Sequence, residues 1–126
     1  MKGKILIIED NEANIYLISF ILKKYGYSVI EARNGEEGVV CAINEHPELI
    51  LMDIDLPKLD GYEVTRMIRA LETKGRIIPV IALTSYAMAG DKKKAIEAGC
   101  TGYMEKPINP DTFMTEIEKY LNHTKL

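Results

Sequence analysis

The chain has 126 residues, 47% of them hydrophobic and 28% charged, with 16 basic and 19 acidic side chains for a formal net charge of -3. That is the composition of a soluble globular protein; it carries no basic excess for nucleic acid and no apolar run near the ~20 residues of a membrane span. A chain of this length buries roughly two-thirds of the surface its unfolded form exposes, so one domain over residues 1–126 with a full core is expected.

The elements alternate from the start. Met1-Lys2-Gly3-Lys4-Ile5 enters a strand directly, at about residues 4–8, with no signal-peptide core before it. Cytoplasmic residence is therefore the expectation. A helix follows at about 12–25, ended by Gly26 in the manner of a C′ glycine. A strand at about 27–32 leads to the Asn34-Gly35 turn. A helix at about 36–45, with Val39, Ala42 and Ile43 on one face, is stopped by Pro47. The apolar run 49–52 reads as a buried strand, and the loop from Asp53 to Gly61 carries two turn signals, Leu56-Pro57 and Asp60-Gly61. A helix to about Leu71 places Val64, Ile68 and Leu71 at helical spacing. A strand at about 78–83 tolerates Pro79 near its start. A helix at about 88–98 ends at Gly99, a short strand at 102–104 leads to Lys106-Pro107, and the last helix is expected to start with Asn109 as N-cap and Pro110 at N1. Cys41 and Cys100 have no metal or redox spacing and read as reduced packing residues.

Five strands alternating with five helices imply an α/β fold: a doubly wound parallel sheet with helices on both faces. Ligands of such sheets bind beyond the carboxyl ends of the strands. The polar residues at those ends are Glu9 and Asp10 after the first strand, Asp53 after the third, Thr84 after the fourth and Lys106 after the fifth. Taken one at a time, an acid or a threonine there reads as a helix cap or a solvated loop residue, and a lysine as surface charge. Together they make a site. Crowded carboxylates repel unless a cation intervenes, and Mg²⁺ suits one or two carboxylates, waters and a phosphate. An aspartate can accept a phosphoryl group as an aspartyl-phosphate, with an ammonium and a hydroxyl on the phosphoryl oxygens. The Lys106-Pro107 bond is a candidate cis peptide, because the lysine must turn back toward Asp53 while the chain enters the last helix, and before proline the cis form costs only about 0.5–1 kcal/mol relative to trans.

The runs Ile8-Glu9-Asp10-Asn11, Met52-Asp53-Ile54-Asp55-Leu56-Pro57, Leu59-Asp60-Gly61-Tyr62-Glu63 and Ala98-Gly99-Cys100-Thr101-Gly102-Tyr103, with Thr84-Ser85 and Lys106-Pro107, resemble the receiver domain of two-component response regulators, the CheY-like family, over essentially the whole chain. The resemblance implies a flavodoxin-like sheet of order 2-1-3-4-5. It implies that Asp53 is the phosphoacceptor, and that Mg²⁺ is held by Asp10 directly, by Glu9 through water, by Asp53 and by the backbone carbonyl of Asp55. It further implies that Lys106 binds the phosphoryl group, that Thr84 and Tyr103 form the switch pair, and that the side chains of Asp55 and Tyr86 lie near the attacking water. The donor would be a phosphohistidine on a sensor histidine kinase or histidine phosphotransfer protein in a phosphorelay, and the output a switched surface for a downstream protein. No turnover of an external substrate is expected.

Two other classes compete. One is a phosphate-independent pseudo-receiver that serves only as a binding module. The other is a small phosphatase of the haloacid dehalogenase type, since Asp53-Ile54-Asp55 is a DxD motif; those enzymes carry it on the first strand and usually have a cap domain. Met1 immediately before the first strand and the polar end Asn122–Leu126 favour a natural single domain. Lys92-Lys93-Lys94 reads as a solvated helix face. On the first helix Asn14, Leu17, Ile18, Ile21 and Tyr25, with Leu22 at the edge, share the face expected to point inward, leaving Tyr16 and Phe20 one turn apart on the other face as a candidate contact for the phosphoryl donor.

Overall fold

The computed structural model describes residues 2–72, 77–85 and 91–124. The elements in chain order are β1 (Lys4–Ile8), α1 (Glu12–Lys24), β2 (Ser28–Ala32), α2 (Gly35–Asn44), β3 (Leu49–Asp53), α3 (Gly61–Leu71), β4 (Val80–Thr84), α4 (Asp91–Ala98), β5 (Gly102–Glu105) and α5 (Phe113–Thr124). All pairings are parallel, in the order β2-β1-β3-β4-β5.

The strand sequences explain the two-sided cover. β1, β3 and β4 are apolar at successive positions, as strands buried on both faces must be, and their side chains alternate between faces. Ile5, Ile7, Leu49, Leu51, Ile81 and Leu83 pack with Ile18, Ile21 and Leu22 of α1 and with Phe113, Met114, Ile117 and Leu121 of α5. Leu6, Ile8, Ile50, Met52, Val80 and Ala82 pack on the other face with Val39 and Ala42 of α2, Val64 and Ile68 of α3 and Ala95 of α4.

The expected boundaries hold to within a residue or two, with three informative departures. Tyr27 is not in β2: its N–H donates to Leu22 O while Gly26, at φ +92°, donates to Lys23 O. That is a Schellman closure of α1, which uses the glycine's left-handed conformation. Ile78 and Pro79 stand outside β4. The Ile78 N–H goes to Glu72 Oε2 at 2.7 Å and its carbonyl accepts from Arg69 Nη1 at 2.7 Å, so the chain is tied to the end of α3 before it joins the sheet. Asn109 and Pro110 do not begin α5. Asn109 Oδ1 accepts from Asp111 N at 3.0 Å and its carbonyl from Thr112 N and Phe113 N, which makes a capped turn, and the helix runs from Phe113. The first residues of the helix expected at 88–98 lie outside the described part of the chain; α4 is described from Asp91.

The inner face of α1 differs in detail. Ile15 and Ser19 are buried with Ile18, Ile21 and Leu22, whereas Tyr25, expected inside, is 45% exposed at the C-cap. Lys92, Lys93 and Lys94 are exposed, and among the described residues no helix is long and apolar enough to cross a membrane.

Candidate functional site

Strand register builds the site. Ile8 pairs with Met52, so Glu9 and Asp53 emerge level with each other at the carboxyl ends of β1 and β3. Asp53 pairs with Leu83, and Thr84 with Glu105, so Thr84 and Lys106 leave the sheet at the same edge. The backbone carries the ladder one step past the strands: Glu9 N to Ala32 O at 2.9 Å, Ile54 N to Leu83 O at 3.0 Å, Lys106 N to Thr84 O at 2.7 Å. The polar residues therefore stand on backbone already fixed by the sheet. The edge lies where β1 sends the chain outward in opposite directions, to β2 on one side and β3 on the other, which is the switch point where doubly wound sheets bind ligands.

Glu9 is fully buried, and Asp53 and Thr84 are nearly so, while Asp10 is exposed. Lys106 Nζ lies 2.9 Å from Glu9 Oε1 and 3.1 Å from Asp53 Oδ1, and bridges the two carboxylates. Asp53 Oδ1 also accepts the backbone N–H of Asp55 at 3.0 Å. The Lys106-Pro107 bond is cis, as expected. Tyr103, half-buried on β5, packs against the α2–α3–α4 side of the core. Tyr86 lies outside the described residues.

Electrostatics follow from burial. Desolvation raises the Glu9 carboxyl to about 7, a hydrogen bond to Asp53 pushes the same way, and Lys106 opposes. For Lys106, burial works against the ammonium, but the hydrogen bonds to Glu9 and Asp53 outweigh it and raise its proton affinity. Two carboxylates sharing one ammonium leave the site short of positive charge.

The donor set fits a hard divalent ion. Glu9, Asp10 and Asp53 each bring a carboxylate oxygen, and these atoms lie within 4.8 Å of one another. All are oxygen ligands, as Mg²⁺ prefers. The surroundings of the three carboxylates differ. Glu9 Oε1 accepts from Lys106 and from Asn14 Nδ2 at 3.2 Å, and Glu9 Oε2 from Asn11 N at 3.2 Å, so both Glu9 oxygens already face donors. The contact of Asn14 with Glu9 is the part that sequence reading missed. Asn14 stood only among the inward-facing residues of α1, and the one available signal was its place in the first helical turn after the acid pair.

A family model described as the response regulator receiver domain matches residues 5–118. The polar-differentiation response regulator DivK of Brucella ovis is 42% identical over 121 residues, which cover 96% of this chain and 98% of that protein. The receiver domain of a sensor histidine kinase from Pseudomonas aeruginosa, solved with a magnesium ion coordinated in its active-site cleft, superposes with a TM-score of 0.87 at 36% identity, covering 97% of this chain and 99% of that one. A CheY-like receiver protein from Methanospirillum hungatei gives a TM-score of 0.89 at 30% identity, covering 99% and 98%. These matches favour neither the pseudo-receiver nor the DxD phosphatase.

Proposed function

This chain belongs to the response regulator receiver domain family, and from that membership we propose that Asp53 accepts a phosphoryl group from a phosphohistidine on a sensor histidine kinase or histidine phosphotransfer protein. The observation that carries the assignment is the Lys106 ammonium 3.1 Å from the Asp53 carboxylate at the switch-point edge of the sheet. An Asp53 oxygen attacks phosphorus, the P–N bond to the donor imidazole breaks, and the imidazole nitrogen keeps the electron pair. Lys106 then faces the transferred phosphoryl oxygens, and the Thr84 hydroxyl is a second donor to them. Asp10, Asp53 and the Asp55 carbonyl would hold Mg²⁺, with Glu9 acting through water; when bound, the ion supplies charge neutralisation for the phosphoryl oxygens.

Thr84 and Tyr103 stand on adjacent strands, β4 and β5, and we assign them the switch: movement of Thr84 toward the phosphoryl group makes room for the Tyr103 ring to turn inward, and the surface offered to a downstream protein partner changes. Hydrolysis of the acyl phosphate by the domain itself resets the switch, without turnover of an external substrate. Tyr16 and Phe20 on the outer face of α1 are assigned to donor docking, and the whole cycle to the cytoplasm. The assignment of Asp53 is tested by intact-mass spectrometry after acetyl phosphate and Mg²⁺. One phosphoryl adduct is expected on the wild type and none on Asp53→Asn; an equal adduct on the variant would sink it.

A further inference from the structure

Asn14 lies in the first turn of α1, half-buried, and none of the roles assigned above uses it. Its own backbone is fixed, since its N–H donates to the N-cap oxygen Asn11 Oδ1 at 3.0 Å. From that anchored position its amide reaches Glu9 Oε1 at 3.2 Å. The same oxygen accepts from Lys106 Nζ at 2.9 Å, and Lys106 in turn lies 3.1 Å from Asp53 Oδ1. The other Glu9 oxygen accepts from Asn11 N at 3.2 Å, so both ends of this fully buried carboxylate are held from the start of α1.

A chain of contacts thus runs from the first turn of α1 through Glu9 and Lys106 to Asp53. Glu9 has Asp53 for a neighbour, and when both are ionised two carboxylates so placed repel. The amide holds the Glu9 carboxylate against that repulsion with a donor that carries no charge. A lysine or arginine there would add a cation in competition with a metal ion, and an acid would add to the repulsion. A hydrogen bond to an ionised group is also stronger than one between two neutral groups.

We propose that Asn14 is a positioning residue of the phosphoacceptor site, which through Glu9 sets where the Lys106 ammonium stands on Asp53. This rests on the reading of Asp53 as phosphoacceptor, but the geometry it invokes can be read without phosphorylation.

The experiment is a double-mutant cycle on the full chain with Asn14→Leu, Glu9→Ala and the pair. Two quantities are read: the rate of labelling by acetyl phosphate with Mg²⁺, and the ¹³Cε resonance of Lys106 in metal-free protein. Asn14→Leu should slow labelling at least fivefold and move the Lys106 resonance, with the circular dichroism spectrum unchanged. In the Glu9→Ala background the same substitution should change neither quantity further. Asn14→Ala serves if the leucine variant does not fold. Labelling within twofold of wild type with an unmoved Lys106 resonance overturns the proposal, as does an equal loss in both backgrounds. Failure of the underlying reading is separate: an adduct that persists on Asp53→Asn removes the phosphoacceptor, while the Lys106 resonance still decides whether Asn14 acts through Glu9.

Discussion

Glu9 is a buried carboxylate with a second carboxylate beside it, and its protonation couples to stability. Its ordinary value near 4.5 is raised to about 7 in the fold, by desolvation first and by Asp53 second. Between these values the folded chain keeps a proton that the unfolded chain has released. Unfolding then releases that proton, so this group's contribution is fully present below about pH 4.5 and is lost as pH rises through about 7. Glu9→Gln keeps the neutral shape and cannot ionise. Urea melts of magnesium-free protein should therefore show the variant gaining on wild type as pH rises across that window; parallel profiles would contradict the shift. Added Mg²⁺ reverses the trend for wild type, because a cation binds the ionised form, and its stabilising increment should grow with pH. At this scale the sequence was legible where backbone geometry alone places a side chain. Glu9, Asp53, Thr84 and Lys106 follow from where apolar runs end. The amide contact of Asn14 was not, because it depends on a rotamer and on the exact entry of α1 into its first turn.

Elements were legible in proportion to how far their punctuation is local. Gly26 and Pro47 stop helices by their own backbone chemistry, and α1 and α2 end within a residue of the expected positions. The start of α5 was misplaced because Asn109 has an equally good local use: it caps a turn with the same side-chain oxygen that would cap a helix. The start of β4 was misplaced because Arg69 and Glu72, at the end of α3, claim the polar groups of Ile78. The first turn of α3 shows how tertiary packing overrides propensity. Alanine in a helix would ordinarily improve on glycine by about 0.4–1 kcal/mol. At Gly61 a Cβ would stand 2.6 Å from Asp53 O and 2.8 Å from Ile54 Cα, both backbone atoms that cannot swing aside. Overpacking of this kind costs about 1–3 kcal/mol, so the sign reverses. Gly61→Ala should lower the denaturation midpoint and, by displacing the Asp53 peptide, slow acetyl-phosphate labelling. A variant as stable as wild type would mean that the β3–α3 loop yields more easily than its contacts imply.

At the scale of the whole molecule the question is which surface meets the phosphoryl donor. The Asp53 edge is small and polar, and the donor must bring a histidine to it, so the contact has to be anchored nearby. Exposed apolar residues are scattered over the surface, among them Val40, Met67, Leu71, Ile77 and Ile96, and scattered residues of this kind are ordinary. Tyr16 and Phe20 differ by position. They are 74% and 60% exposed and one turn apart on α1, the helix whose first turn reaches Glu9 through Asn14. Paired aromatics beside a reactive edge are the kind of group that dominates interface energetics. Neither contributes to the core, so removing both should leave the fold intact. Tyr16→Ser with Phe20→Ser is therefore expected to keep the wild-type melting temperature and rate of labelling by acetyl phosphate, which needs no protein contact. Transfer from the cognate phosphohistidine donor should slow at least tenfold, equivalent to about 1.4 kcal/mol of docking free energy. Because the small-molecule and protein donors share the Asp53 chemistry, the comparison isolates docking. Equal transfer rates from the protein donor would return both residues to ordinary exposed surface and move the search for the docking face elsewhere on the molecule.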